Sequence, residues 1–438
     1  MNGLSRLLAV VMAMAVTLVV NDSAPAAADT ALAVNPTAWA SISSKHPHRS
    51  HWVKYDPVGN EDDDASVGRT DAPREITRSF FELDLSAFTG KRVLRANFVL
   101  YVRESAACGP AVEMWETGAV SARTTWKRQP RWLRKVFTSE AGCGQKGWLI
   151  SEAVKDAVAR GDQAITFGLR SADERTAGRF LFRTTPFTGN IGPSMSVAYN
   201  TVPDVPTGLD VTSGDCYGPE AGPYLRTTTP SLRATLTDPD GGSGEILRGR
   251  FEWADAAGDT LGEAVSAELS SGHRHCVTLP EGHLTDGGSY TWRVRAENSY
   301  LVAGPDGYET FWDLGQWSPW APQLHIDQVP PAAPPVISST DFPENQPGGR
   351  VGLPGTFTLA PNGVSDVASY DYDFGPGVNP VRAGSDGTAT VTFTPTHTFP
   401  QRLTARSVDR AGNRGPAVTY AFRATAAPPP DATGGGAG

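Results

Sequence analysis

The sequence has few charged residues, and helical periodicity is nearly absent from it. Only 19% of its 438 residues are charged, whereas it contains 46 glycines and 35 prolines. This composition is typical of many short strands joined by turns. The formal net charge of -9 means that the chain lacks the basic surface of a sequence-independent nucleic-acid binder. We therefore predict an all-β protein with no nucleic-acid partner.

Sequence motifs for catalysis are also missing. The chain has no G-x-S-x-G elbow, no H-E-x-x-H helix and no phosphate-binding Walker loop. A glycosidase needs only two carboxylates about 5–10 Å apart, which a sequence does not reveal. Glu113 and Glu116 lie at i and i+3 of a predicted strand, hence on opposite faces, and make a poor pair. We predict no catalytic residue.

The N-terminus has the pattern of an export signal. Arg6 precedes an apolar run from Leu7 to Val20, and a small-residue A-x-A segment follows around Ala26 to Ala28. This pattern predicts a secretory signal peptide over residues 1–28. The run is short for a bilayer span, and no later segment is apolar enough. We expect a secreted, extracellular protein without stable membrane insertion after signal cleavage.

The chain has four cysteines, for which three pairings exist. Because Cys108 and Cys143 fall in one predicted domain and Cys216 and Cys276 in the next, we predict disulfides 108–143 and 216–276. An oxidising compartment would preserve both bridges. A zinc site is the alternative, but the cysteine and histidine spacing does not match the usual ligand patterns.

One segment of the chain, SYTWRVRAENS, alternates strictly between apolar and polar side chains. Such a period of two predicts a strand with one face buried and the other in water. The face predicted to be buried consists of Tyr290, Trp292, Val294 and Ala296. The face predicted to be in water consists of Thr291, Arg293, Arg295 and Glu297. The segment resembles the last hairpin of a fibronectin type III module, with Tyr290 as its corner tyrosine.

Proline-rich segments divide the remaining chain into modules. We predict a jelly-roll domain over 29–201 with a helix from Ser151 to Arg160 that Ser151 caps. A fibronectin type III-like domain over 202–329 and a bacterial Ig-like domain over 330–426 follow, and residues 427–438 form a flexible tail. The fold class is therefore all-β, built of tandem β-sandwiches.

Three phrases of the first module resemble the DNRLRE-type domain of secreted actinobacterial proteins: SFFELDLSAFTGKRVLRANFVLYV, VEMWETGAVSARTTWKRQPRW and ITFGLRSADE. In that family the domain is often followed by fibronectin-like and Ig-like repeats and then by a concanavalin-like (LamG) domain. The sequence departs from this order by ending in a Gly-rich tail. The family is related to carbohydrate-binding modules, so the resemblance implies a glycan-facing role, and it transfers no binding residue.

The candidate ligand-binding residues are two tryptophans, Trp52 and Trp132, because a sugar ring stacks on an exposed indole. Most large aromatic residues fill cores instead. Asp62 and Asp64 are candidate ligands of a structural calcium ion, since hard cations take carboxylate oxygens; no other cofactor is expected. We predict a non-catalytic protein that binds polysaccharide or cell-envelope glycan through its jelly roll. The alternatives are a polysaccharide-degrading enzyme or its accessory subunit, and an adhesive or structural ectodomain with a protein partner.

Overall fold

A computed structural model describes residues 30–55, 64–105, 109–141, 146–184, 192–241, 245–304 and 307–426. Strands dominate these residues, and they form three successive pairs of sheets. This arrangement confirms the predicted fold class of tandem β-sandwiches. None of the helices in these ranges combines the length and apolar character needed to cross a bilayer.

The first sandwich packs a four-stranded sheet, in the order β1-β13-β6-β10, against a nine-stranded sheet. The larger sheet runs β7-β12-β4-β5-β11-β8-β9, with β2 pairing β5 and β3 pairing β2. Large aromatic side chains such as Phe81, Phe98 and Phe167 fill the space between the sheets. The strands are β1 (Thr30–Val34), β2 (Pro36–Ser43), β3 (His51–Lys54), β4 (Asp64–Asp71), β5 (Arg74–Asp84), β6 (Arg92–Leu100), β7 (Val102–Ser105), β8 (Val112–Thr117), β9 (Trp132–Thr138), β10 (Lys146–Leu149), β11 (Ala164–Ser171), β12 (Gly178–Arg183) and β13 (Ser194–Asn200).

The predicted helix of the first sandwich is present as α1 (Ser151–Arg160). Gly161 ends it in the left-handed conformation with φ of 79°, which glycine adopts without steric cost. The predicted capping role of Ser151 is wrong, because Ser151 is already the first helical residue and Ile150 precedes it without a side-chain cap. The Ser151 hydroxyl instead accepts a hydrogen bond from the Ala96 amide at 3.0 Å and so ties the helix to β6.

The second sandwich packs a three-stranded sheet, β14-β16-β20, against a seven-stranded sheet that contains β15-β23-β21-β17-β18, with β19 beside β17 and β22 beside β21. A disulfide joins Cys216 to Cys276, as predicted. Cys108 and Cys143 lie outside the described residues, so the other bridge stays a prediction. The strands are β14 (Thr207–Thr212), β15 (Tyr224–Leu225), β16 (Ser231–Thr235), β17 (Ile246–Asp255), β18 (Thr260–Val265), β19 (Leu269–Ser270), β20 (Arg274–Thr278), β21 (Ser289–Gly304), β22 (Gly307–Leu314) and β23 (Leu324–Ile326).

The third sandwich packs the sheet β24-β26-β29 against the sheet β25-β31-β30-β27-β28. Its core is aromatic, with Phe357, Tyr370, Tyr420 and Phe422 buried together. The strands are β24 (Val336–Ser338), β25 (Pro347–Arg350), β26 (Gly355–Ala360), β27 (Val367–Asp373), β28 (Asn379–Arg382), β29 (Ala389–Phe393), β30 (Gln401–Asp409) and β31 (Arg414–Thr425).

The chain divides by contact into two compact units. The first comprises the described residues up to Thr201 together with Ser299–Trp312, and the second comprises Val202–Asn298 and the described residues from Asp313 onward. The third sandwich and the second sandwich without Ser299–Trp312 therefore belong to one unit. Domain boundaries at 201/202 and 329/330 stay predictions.

The strand β21 confirms one half of its prediction and overturns the other. Tyr290, Trp292, Val294 and Ala296 are buried, as predicted. The Tyr290 hydroxyl accepts a hydrogen bond from the Thr285 amide at 2.8 Å, which is the bond expected of a corner tyrosine. The prediction that Glu297 faces water is wrong, because its exposed fraction is 0%. On the polar face of β21, Arg293 and Arg295 are covered by the indoles of Trp317 and Trp320.

Candidate functional site

The outer face of the nine-stranded sheet, turned away from the main core, carries an alternating stack of tryptophan and arginine side chains. In order these are Trp126, Arg78, Trp132, Arg170 and Trp115, called the first ladder here. The Arg78 guanidinium lies 4.7 Å from the centre of the Trp126 ring and 5.6 Å from that of Trp132. The Arg170 guanidinium lies 4.5 Å from Trp115 and 5.3 Å from Trp132. Such contacts are attractive because the ring face carries partial negative charge.

Hydrogen bonds hold both arginines of the first ladder in place. Arg78 donates from Nε and Nη2 to the two carboxylate oxygens of Glu174, each at 2.7 Å. Arg170 donates to Glu113 at 2.9 Å, and the Trp115 indole nitrogen donates to the same carboxylate. Burial alone would raise the pKa of Glu113, but the bonds from Trp115 and Arg170 hold it below its usual value.

The candidate tryptophans Trp52 and Trp132 belong to the same face of the sheet. Both pack, with Trp126, against a small cluster formed by Ala40, Ile42, Phe80 and Val120. This cluster is separate from the core between the two sheets. The two tryptophans predicted from the sequence therefore lie against the same cluster in the structure, and both are only partly exposed.

An open groove lies beside Trp132. Its volume is about 460 Å³, and polar side chains dominate its lining. A row of cross-strand neighbours leads from the first ladder into the groove. The row consists of Trp132 on β9, Thr117 on β8, Thr166 on β11 and Glu82 on β5. The remaining lining residues are Glu116, Ala119, Leu133, Arg160, Asp162, Ala164 and Ile165.

Ion pairs fix the walls of this groove. Glu116 accepts a hydrogen bond from Arg134 at 2.7 Å through one oxygen and from Arg160 at 3.0 Å through the other. Arg160 also pairs with Asp162 at 2.8 Å. Leu133 adds an apolar surface with 50% of its area exposed. A wall of fixed polar groups beside an apolar residue can bind a hydroxyl-rich ligand without first becoming ordered.

The second sandwich carries a similar stack, the second ladder, formed by Arg293, Arg295, Trp317 and Trp320. Arg293 lies 4.6 Å from the Trp317 ring centre and 4.5 Å from that of Trp320, and Arg295 lies 4.8 Å from Trp317. Residues 315–321 lie along β21 through hydrogen bonds from the amides of Gly315, Ser318 and Ala321 to alternate carbonyls. This segment covers the face that the alternation predicted to be in water.

The aspartates selected as calcium ligands are not assembled into a site within the described residues. Asp64 pairs with Arg103 at 3.2 Å, and Asp62 lies outside the described residues, so calcium binding there stays a prediction. Three other carboxylates do converge: those of Asp327, Asp366 and Asp409 lie within 4.8 Å of one another. Sequence reasoning missed this triad because its members come from three distant parts of the chain: Asp327 and Asp366 lie between strands, and Asp409 ends β30.

No family model matches the chain, and no curated protein matches it. Its structure is similar to fibronectin(III)-like modules of CbhA from Clostridium thermocellum, at 13% identity over 49% of this chain and 94% of that one, with a TM-score of 0.27. It is also similar to a Parabacteroides merdae β-glucuronidase, at 11% identity over 64% of this chain and 35% of that one, with a TM-score of 0.18. A glycosyl hydrolase family 2 member from Bacteroides cellulosilyticus matches at 10% identity over 64% and 38%, with a TM-score of 0.17. At these scores the similarities carry no argument about activity.

Proposed function

We propose that the protein is an exported, non-catalytic module that binds polysaccharide through the groove of its first sandwich. The observation that carries the proposal is the preformed polar groove of about 460 Å³ beside Trp132. This volume falls in the range of roughly 300–1,000 Å³ that is usual for small-ligand sites. Carboxylates, guanidinium groups and threonine hydroxyls are suitable partners for sugar hydroxyls. Leu133 offers the apolar contact that a sugar ring face needs.

The contacts of Glu116 support binding rather than hydrolysis. A glycosidase needs one carboxyl group as an acid and a second as a base or nucleophile. Both oxygens of Glu116 already accept hydrogen bonds from arginines. Asp162 is likewise paired with Arg160, which leaves Glu82 as the lining carboxylate with no arginine partner among the described residues. One such group does not make a catalytic pair.

The first ladder has a supporting role in this proposal. Its arginines occupy the faces of Trp115, Trp126 and Trp132, where a sugar would otherwise stack. The ladder instead makes a rigid wall that positions the start of β9, including Leu133. In this proposal the second and third sandwiches act as spacers.

The proposal is tested by retention of the full chain on insoluble cellulose, chitin, xylan and peptidoglycan, with reducing sugar measured in the same tubes. Ala164 is an exposed residue that lines the groove, so Ala164→Trp fills the groove without disturbing the core. Ala31→Trp is the matched control, because Ala31 is an exposed strand residue on the other sheet.

We expect retention without sugar release, loss of retention in Ala164→Trp, and unchanged retention in Ala31→Trp. Release of reducing sugar by the wild type would favour the hydrolase alternative. Absence of retention on every polysaccharide would refute the proposal and leave the alternative of a protein partner.

A further inference from the structure

The charges that line the groove do not balance. Glu82, Glu116 and Asp162 bring three carboxylates to the lining, and Arg160 brings its one guanidinium group. Arg160 serves both Asp162 and Glu116. Arg134, from outside the lining, completes the pairing of Glu116 and also binds Asp156 at 2.7 Å. Glu116 and Asp162 are therefore compensated locally.

Glu82 is the carboxylate of the groove that has no such compensation. Its Oε1 accepts a hydrogen bond from the neutral Thr37 hydroxyl at 3.1 Å, and no cation contacts it among the described residues. Glu82 lies opposite Thr166 on β11, so its position is set by the sheet rather than by a loop. Its other oxygen is available to accept hydrogen bonds from a ligand.

Resting on the proposed function, we propose that Glu82 is a specificity-determining residue that makes the groove accept uncharged glycans and reject polyuronates. A free carboxylate accepts hydrogen bonds from two neighbouring hydroxyl groups of a neutral sugar. The carboxylate of a uronic acid brought to the same place would face a like charge without a cation between them, which opposes binding. Like-charge repulsion of this kind is partly screened by salt.

The test is affinity electrophoresis of the full chain through gels that contain a soluble neutral xylan or glucan, or alginate or polygalacturonate. The variant is Glu82→Gln, which keeps the shape of the side chain and removes its charge. Glu152→Gln is the matched control, because Glu152 is on α1 with 80% of its side chain exposed and lies outside the groove lining. Both variants change the net charge equally.

We expect the wild type to be retarded by the neutral polysaccharide and not by the polyuronates. Glu82→Gln should weaken retardation by the neutral polymer about fivefold and introduce retardation by the polyuronates, whereas Glu152→Gln should change neither. Raising NaCl from about 0.05 M to about 0.5 M should reduce the discrimination of the wild type and leave that of Glu82→Gln unchanged.

The possible failures are distinguishable. If the wild type binds neutral polysaccharide and polyuronate equally, or if Glu82→Gln keeps the wild-type preference, the role of Glu82 is refuted while the binding function stands. If the wild type binds none of these polymers, the role of Glu82 is refuted. The proposed function is refuted as well only if the wild type is also not retained on any of the insoluble polysaccharides.

Discussion

The two arginine–tryptophan ladders use the same contact but are assembled differently. In the first ladder, Arg78 and Arg170 come from separate strands, and the three indoles come from β8, β9 and the loop between them. In the second ladder, Arg293 and Arg295 alternate along β21, and both indoles come from one extended segment. The first ladder therefore joins distant parts of a sheet, whereas the second fastens one segment to one strand.

The anionic partners of the two ladders also differ. In the first, Glu174 and Glu113 keep side-chain exposures of 23% and 14%. In the second, Arg293 pairs with Glu252, whose side chain is 13% exposed. Arg295 pairs with Glu297, whose side chain is fully buried and also contacts Arg248 and Arg250 at 2.8 and 2.6 Å. Since a buried charge depends on its partners far more than an exposed one, we expect mutations to affect the two ladders unequally.

The largest expected difference concerns the central and terminal indoles. Trp132→Ala should lower the free energy of unfolding by about 3–4 kcal/mol, because Trp132 packs on Phe80 and contacts both arginines of the first ladder. Trp320→Ala should cost only about 1 kcal/mol, since Trp320 is 42% exposed and, among the described residues, stacks on one arginine, Arg293. Urea unfolding followed by circular dichroism measures both. Equal losses would mean that the first ladder does not join the sheet as described.

The next comparison is between the anionic partners. Glu297→Gln should destabilise the second unit by about 3 kcal/mol, because three arginines lose their buried counter-charge. Glu174→Gln should cost the first unit about 1 kcal/mol or less, as expected of a partly exposed ion pair. Thermal unfolding near neutral pH measures both changes. Similar shifts for both variants would contradict the stated role of burial.

The loss of stability at acid pH gives a second measurement on Glu297. Burial by itself raises the pKa of Glu297, but Arg250 and Arg248 outweigh it and hold the pKa below its usual value. This stabilisation is therefore complete above the unfolded-state pKa of 4.5 and is lost as the pH falls through the lower folded-state pKa. Glu297→Gln should lack this part of the acid destabilisation.

The sequence predicted much of the fold because alternation and turn residues are local signals. The buried face of β21, the corner tyrosine, the extent of α1 and the bridge 216–276 could all be read from short stretches. The burial of Glu297 could not, because two of its arginine partners, Arg248 and Arg250, come from the distant strand β17. An Arg-x-Arg strand followed by W-S-P-W was the available signal for the separate stacking of Trp317 and Trp320 on Arg293 and Arg295.

The candidate site was only partly predictable for the same reason. Trp52 and Trp132 were selected as single aromatics, and the fold places both against one cluster. The groove was not predicted, because its walls combine β5, β8, β9, β11 and the end of α1. The sequence indicates for Glu116 only a poor pairing with Glu113. Its arginine contacts come from β9 and α1, whose register no local pattern indicates.

Histidines of the two regions provide a smaller test. His275 of the second sandwich is 1% exposed, and its Nδ1 lies 2.9 Å from the Ser266 hydroxyl. Burial lowers its pKa from 6.5 to about 4. On acidification the unfolded chain therefore protonates His275 at a higher pH than the folded chain does. The free energy of unfolding falls by about 2 kcal/mol as the pH decreases from about 6.5 to about 4.

His275→Gln should remove this slope, whereas His51→Gln, at an exposed position of the first sandwich, should not. Asp238 acts in the opposite direction, because burial raises its pKa to about 6 and its protonation on acidification stabilises the fold. Since Asp238 is present in both proteins, the difference between wild type and His275→Gln isolates the histidine. An unchanged slope in His275→Gln would show that the ring is not held neutral.

The smallest expected effect concerns the triad of Asp327, Asp366 and Asp409 in the second unit. Unlike the paired carboxylates of the groove, these face one another, and burial followed by the charges of Asp409 and Asp366 raises the pKa of Asp327. Asp366→Asn should therefore stabilise the protein by about 0.5 kcal/mol near neutral pH through relief of repulsion. The gain should shrink on acidification, as protonation of Asp327 relieves the same repulsion. Thermal unfolding in EDTA measures it, with exposed Asp259→Asn as the control. If Asp366→Asn lowers the stability and Asp259→Asn does not, Asp366 makes a net favourable contribution. Repulsion between carboxylates would then not be the property that separates the triad from the groove.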